Sequence, residues 1–324
     1  MTDIERSISP NGFPDGYKFE QTLSDIVISF PVPENSTLDS IEFNIDQENN
    51  TIYASMQDQE YPSVCGVLYK SIQTEKHEIT NSHFQITLQK TEPEIWPLLI
   101  KNESLHGIDP KSVFILGIYN DSKGLPREAF GMFKASANMG YFIAQVLVAD
   151  TYLNEDNPYD IKKDIPQAIK ILESIPPEKL SPDVAIKLAN AYLSADRRID
   201  AITTFRQIAQ NSLEARLSLA KLLSPIASPG CGNDAEEAVS HLQILANENI
   251  VEAMNLLAQH YAKGCGVKKN MKEAKALAQK IKEIDPRAPE PIQSSGTVTT
   301  VIAAVSTAAI LFGVGFLLKR RYYK

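Results

Sequence analysis

Cysteine, tryptophan and histidine are scarce in this 324-residue chain, which holds three, one and five of them. Cys65, Cys231 and Cys265 follow no pattern, so a disulfide framework and a four-ligand zinc site are both excluded and a reducing setting is expected. The histidines (His77, His83, His106, His241, His260) form no H-E-x-x-H pair, and neither a G-x-S-x-G elbow nor a Cys/His signature is present. His241 and His260 could approach each other with Cys265, but solvated side chains explain them better than a metal site. Gly264-Cys265-Gly266-Val267-Lys268-Lys269 has the look of a phosphate loop without its G-x-x-x-x-G-K-[ST] spacing or a preceding strand. The expectation is a protein that is not an enzyme, with no cofactor, no metal and no small-molecule substrate.

Positive charge is also in short supply: 32 basic against 40 acidic residues give −8, which argues against nucleic acid as a partner, since counterion release needs a basic surface. The distribution says more than the sum. No acidic residue follows Glu290, and Lys319, Arg320, Arg321 and Lys324 crowd the last six positions.

Between these lies Val298 to Leu318, 21 residues without charge or proline. At ~1.5 Å per residue such a helix spans ~31 Å, the thickness of a bilayer core. A buried core helix seldom stays apolar on every face for so long. The opening residues MTDIERSISPNGFPDG show neither a signal peptide nor an Arg-rich presequence. The expectation is therefore a C-terminal transmembrane helix at 298–318 with a basic tail at 319–324, a tail-anchored chain whose remainder faces the cytosol. Its Ala/Thr/Gly-rich span favours the mitochondrial outer membrane, with endoplasmic reticulum or peroxisome as alternatives.

Upstream, period-two alternation marks strands: Ile26, Ile28, Phe30; Ile41, Phe43, Ile45; Ile52, Ala54, Met56; Phe84, Ile86, Leu88. Breakers such as Pro31, Pro33 and Asn81-Ser82 separate them. One dry and one wet face per strand predicts an antiparallel β-sandwich over residues 17–101, after a disordered stretch at 1–16.

Tyr17 to Ile28, Pro31-Val32-Pro33, Gly66 to Ile72, Phe84 to Lys90 and Trp96-Pro97-Leu98-Leu99 occur in the order found in CS domains of the NudC type, which this segment resembles. Phe19 stands where that family usually has tryptophan, and Ile95-Trp96 where it often has a tryptophan pair. The resemblance implies a co-chaperone or client-binding sandwich, with a heat-shock chaperone or client protein as partner. Trp96 is a candidate contact residue, although packing at the sandwich edge is the preferred reading. Lys70 and Lys90 read as solvated strand residues.

After a linker at 102–110 the period becomes 3.6, and the sequence repeats. A small residue recurs at Gly117, Ala149, Ala189, Ala220 and Ala258; three positions on stand Tyr152, Tyr192, Leu223 and Tyr261, with Tyr119 displaced by one in the first unit. Each unit opens a second helix on alanine: Ala129, Ala168, Ala201, Ala238, Ala274. The small residue lets paired helices approach. Short gaps in the first and third units resemble TPR motifs, and the longer ones resemble SEL-like repeats. Five hairpins over 111–285, a proline-rich linker at 286–297 and a protein-binding groove follow. Tyr152, Tyr192, Tyr261 and Asn190 are candidate groove residues. Asn190 fits the asparagine position of a chaperone-tail clamp, but Ile186 stands where its lysine would be.

The fold class is thus an antiparallel β-sandwich, an all-α TPR/SEL-like solenoid and one transmembrane helix. The expected function is a tail-anchored adaptor or co-chaperone-like protein. The alternative is a membrane-bound scaffold or import receptor in which the solenoid binds proteins and the sandwich is structural.

Overall fold

Sequence alternation becomes two four-stranded antiparallel sheets in the computed structural model, which describes residues 16–57 and 59–291. Strands β1 (Lys18–Gln21), β2 (Asp25–Pro31), β7 (His83–Lys90) and β6 (Ile72–Thr80) make one sheet in the order β1-β2-β7-β6. Strands β3 (Ile41–Asp46), β4 (Thr51–Met56), β5 (Val64–Leu68) and β8 (Ile100–Asn102) make the other, β3-β4-β5-β8. The inward residues of β2, β4 and β7 interdigitate: Ile26, Ile28, Phe30, Ile52, Ala54, Phe84, Ile86 and Leu88 are all buried. Edge strand β6 carries Glu75, Lys76 and Glu78 on its exposed stretch, charges that discourage pairing with another chain.

Ten helices follow among the described residues, paired as five hairpins: α1 (Pro110–Ser122) with α2 (Pro126–Asn138), α3 (Phe142–Leu153) with α4 (Ile165–Glu173), α5 (Pro182–Ser194) with α6 (Arg198–Ile208), α7 (Leu213–Leu223) with α8 (Ala235–Asn247), and α9 (Val251–Lys263) with α10 (Met271–Ile284). One compact unit ends at Ile175 and holds the sandwich with the first two hairpins; a second begins at Pro176 and holds the other three.

The repeated small residues have the expected mechanical purpose. Ala149, Ala189, Ala220 and Ala258 are fully buried, as are the alanines that open the second helices. At Gly117 even a methyl group is too large: a Cβ there would lie 2.5 Å from Phe133 Cε1.

Loop lengths differ, yet every hairpin closes by the same bond. The backbone N–H of the second helix's N-cap donates to the carbonyl three residues after the small residue: Leu125 to Asn120 (3.1 Å), Asp164 to Tyr152 (2.8 Å), Arg197 to Tyr192 (2.8 Å), Asp234 to Leu223 (3.0 Å) and Asn270 to Tyr261 (2.9 Å). Any residue can supply a backbone carbonyl, which explains why the first unit needs no tyrosine there. The longer loops carry their own fastenings. Asn157 and Asn233 bridge backbone groups across two of them, and Arg198 donates to Cys231 O, Ser228 Oγ, Ser228 O and Leu222 O. In the fifth, Gly266 (φ +65°) presses so closely on Ala235 that an added Cβ would sit 2.1 Å from its carbonyl oxygen.

The stretch read as a linker at 102–110, and residues 286–291 of the one read at 286–297, make specific contacts. Within 102–110, Ser104 bridges Gly107, and Asp109 both caps α1 and binds β5. Beyond α10, residues 285–291 fold back: Asn255 Nδ2 donates to Pro289 O at 3.1 Å, and Ala288 packs on the hairpin core. No helix among the described residues is long and apolar enough to cross a membrane. The span expected at 298–318, the tail at 319–324 and most of the N-terminal stretch lie outside the described residues.

Candidate protein-interaction site

Lys90 is not the solvated residue that its position on a strand suggested. It is 4% exposed, and its ammonium donates to Gln21 Oε1 (3.0 Å), Thr22 O (2.7 Å) and Glu94 O (2.6 Å). Burial pulls its pKa below the usual lysine value. The reason is its place at the last residue of β7, where three acceptors converge on the ammonium. Gln21 then pairs with the backbone of Trp96 in both directions, accepting from its N–H and donating to its carbonyl, each at 2.9 Å. Trp96 is itself buried under the Lys90 ammonium, 5.6 Å from the ring centroid, and beside Tyr69. Its indole N–H has no partner among the described residues. The geometry gives Trp96 a packing position and leaves little of it for another protein to touch. Lys70, in contrast, is half-buried and pairs with Glu94 and Glu92, whose carboxylates raise its pKa.

A second polar node joins the sandwich to α1. Cys65 N–H donates to Asp109 Oδ2 (3.0 Å), Ser112 N–H to Asp109 Oδ1 (2.8 Å), and the Tyr17 hydroxyl meets Ser112 Oγ at 3.0 Å. The Lys111 ammonium lies over the Tyr17 ring. Burial pushes the Asp109 carboxyl up to about 6, against the pull of its hydrogen bonds, and raises the Tyr17 hydroxyl as well.

The candidate groove aromatics are engaged inside the array, Tyr152 and Tyr261 across neighbouring hairpins and Tyr192 within its own. Tyr152 is half-buried and meets the Phe130 ring edge-on at 5.7 Å. Tyr192 is buried with the Arg197 guanidinium 4.4 Å from its ring centroid. Tyr261 is half-buried and its hydroxyl accepts from Gln243 Nε2. Asn190 is half-buried on α5. Tyr152 belongs to the first compact unit, and Asn190, Tyr192 and Tyr261 belong to the second.

A residue absent from that set lines a cavity. A pocket of about 370 Å³ opens between Glu60 and Tyr61 of the sandwich and Asn138, Gln145, Lys170 and Ser174 of the first two hairpins. Its volume lies at the small end of ligand pockets, ~300–1,000 Å³. Gln145 is 4% exposed; its Nε2 donates to Ser174 Oγ at 3.1 Å, while its buried Oε1 has no partner among the described residues. The orientation of the amide is fixed, because the Ser174 hydroxyl hydrogen is committed to Ile171 O at 2.6 Å. The free atom is therefore an acceptor. A lone glutamine among apolar neighbours gave no signal in the sequence.

Comparison with known proteins bears on both halves of the chain. Residues 15–90 match the CS domain family. They form a CS domain. Among solved structures, the nuclear movement protein from E. cuniculi GB-M1 is 22% identical over 26% of this chain and 98% of its own, with a TM-score of 0.23. A Sel1 repeat protein from Oxalobacter formigenes is 24% identical over 54% of this chain and 52% of its own, with a TM-score of 0.44. The protective antigen c5321 of uropathogenic Escherichia coli, which has an SLR fold, is 21% identical over 55% of this chain and 39% of its own, with a TM-score of 0.39. The chain spans about half the length of the Oxalobacter protein. No curated protein gives a significant match.

Proposed function

We propose that this protein is a non-catalytic adaptor, held to an organelle membrane by residues 298–318, that brings a partner bound at its helical repeats to the neighbourhood of a chaperone or client engaged by its CS domain. Tethering two modules turns separate encounters into intramolecular ones, which is how such a protein acts without chemistry. The observation that carries the recognition half is Gln145. A buried acceptor without a partner costs ~1–3 kcal/mol, and a leucine of similar size would remove that cost. Its place at a pocket wall fits a site that receives a donor, such as a backbone N–H of a bound segment. The mitochondrial outer membrane is the proposed location, on the character of the apolar span.

The second reading keeps the membrane and the repeats but makes the CS sandwich structural. The burial of Trp96 and the saturation of Lys90 favour it, because the family's aromatic position offers no free face here. Proximity labelling from the full chain separates the two. The adaptor reading expects a partner set that shrinks when Gln145→Leu is introduced and a chaperone or client set that does not. Absence of the second set leaves the scaffold reading, and an unchanged first set removes the pocket from either.

A further inference from the structure

Between Lys263 and Lys282 the chain has seven lysines and one glutamate, in a protein whose overall charge is −8. All seven are exposed. Lys263 ends α9, Lys268 and Lys269 lie in the turn, and Lys272, Lys275, Lys280 and Lys282 project from α10. Buried Ala274 and Ile281 define the inward face of α10. At about 100° per residue, Lys272, Lys275 and Lys282 fall within about 80° of one another, with Glu273 on the opposite flank. Lys282 pairs with Glu290 at 2.5 Å. The other six have no carboxylate within ion-pair distance among the described residues. Like charges packed this closely repel one another, so the hairpin keeps them at a cost to its own stability.

Where the chain goes next bears on what that cost serves. The backbone N–H of Asp285 donates to Ile281 O and that of Ala288 to Asp285 O, and Asn255 holds Pro289, so the chain is still against the last hairpin at Pro291. Six residues, 292–297, then separate it from the apolar stretch at 298–318. Fully extended they reach ~20 Å, half of what a free linker from 286 would allow.

We propose that the lysines of the last hairpin, Lys272 and Lys275 on one face of α10 with Lys268 and Lys269 in the turn before it, rest on anionic phospholipid headgroups of the membrane that the apolar stretch enters. The proposal rests on the reading of 298–318 as a membrane anchor. Nucleic acid, the other polyanion that a lysine patch fits, is disfavoured by the acidic remainder of the chain. Each lysine close to an anionic surface contributes about fivefold to its occupancy, and a short tether supplies the proximity.

The test uses the full chain reconstituted into vesicles of phosphatidylcholine alone or with phosphatidylserine. Flotation reports anchoring, and amine-reactive labelling read by mass spectrometry reports the patch. The expected result is flotation on both vesicles, with labelling of Lys272 and Lys275 slowed about fivefold or more on the anionic ones only. Exposed Lys134 serves as the unchanged reference. High salt, or the double substitution Lys268→Glu, Lys269→Glu, should restore labelling. Equal labelling on both vesicles overturns the proposal and leaves the anchor intact. Slowing by an oligonucleotide or inorganic phosphate, but not by anionic lipid, assigns the patch to a soluble polyanion and also overturns it. Failure to float on neutral vesicles overturns the anchor and the proposal with it.

Discussion

Replacing Gly117 with alanine tests how tightly the hairpins depend on a missing side chain. The new Cβ would lie 2.5 and 2.7 Å from Phe133 Cε1 and Cδ1 and 3.2 Å from Ala129 O. Phe133 has no room to retreat: it is buried, with Phe114 at 5.2 Å and Tyr159 at 5.8 Å between ring centroids. Overpacking of this kind costs ~1–3 kcal/mol, while exchanging glycine for alanine within a helix returns ~1 kcal/mol. Gly131, on α2 of the same hairpin, has nothing within 4 Å of its would-be Cβ. Gly131→Ala therefore gains the helical term alone. The difference between the two variants isolates the steric cost, ~1–3 kcal/mol, free of propensity. Hydrogen exchange of the α1 and α2 amides across a urea series measures it locally, which matters in a chain with two compact units. Phe133→Leu in the Gly117→Ala background should recover at least ~1 kcal/mol of coupling. Two glycine variants that change stability by the same amount would refute the close-approach argument.

Other perturbations follow from the same contacts. Lys90→Met should cost ~2–4 kcal/mol and shift Trp96 fluorescence to the red, because three acceptors lose their donor inside the sandwich; an unshifted spectrum would show that the lysine does not organise that edge. Gln145→Leu should leave stability unchanged or raise it by ~1 kcal/mol while weakening partner capture, whereas a large loss of stability would make the residue structural. Lowering the pH from 7 to 5 should act oppositely in the two units. The raised Asp109 carboxyl makes a contribution that is complete below its unfolded value and lost as pH rises through about 6, so acid favours the α1 junction by ~1 kcal/mol. Buried His260 sits between Ser224 Oγ and Cys265 O with its pKa lowered by burial, so acid below ~6.5 weakens the last two hairpins. Site-resolved exchange at the two pH values checks both signs.

The alternation in β2, β4 and β7 and the spaced small residues from Gly117 to Ala258 were legible in the sequence, because each is a local pattern imposed by one neighbour layer. What escaped it joins distant residues. Lys90 and Gln21 stand 69 positions apart, Cys65 and Asp109 44 apart, and no periodicity links them. Lys90 looked solvated because a lysine on a strand normally is; only the convergence of Thr22 O, Gln21 and Glu94 O makes its burial tolerable. The tyrosines expected in a groove were found by a true register, but what that register positions is a carbonyl. Gln145 escaped notice for the opposite reason, since a single buried amide leaves no pattern at all.

Photo-crosslinking tests the adaptor claim most directly. With a photoreactive residue placed at Gln167 or Lys170 on the pocket wall, and at Lys134 as an exposed reference on α2, the full chain in cells should yield discrete protein adducts from the first two positions only. Those adducts should fade when Gln145→Leu is added. Adducts equal to the Lys134 background, or indifferent to Gln145, would contradict the account.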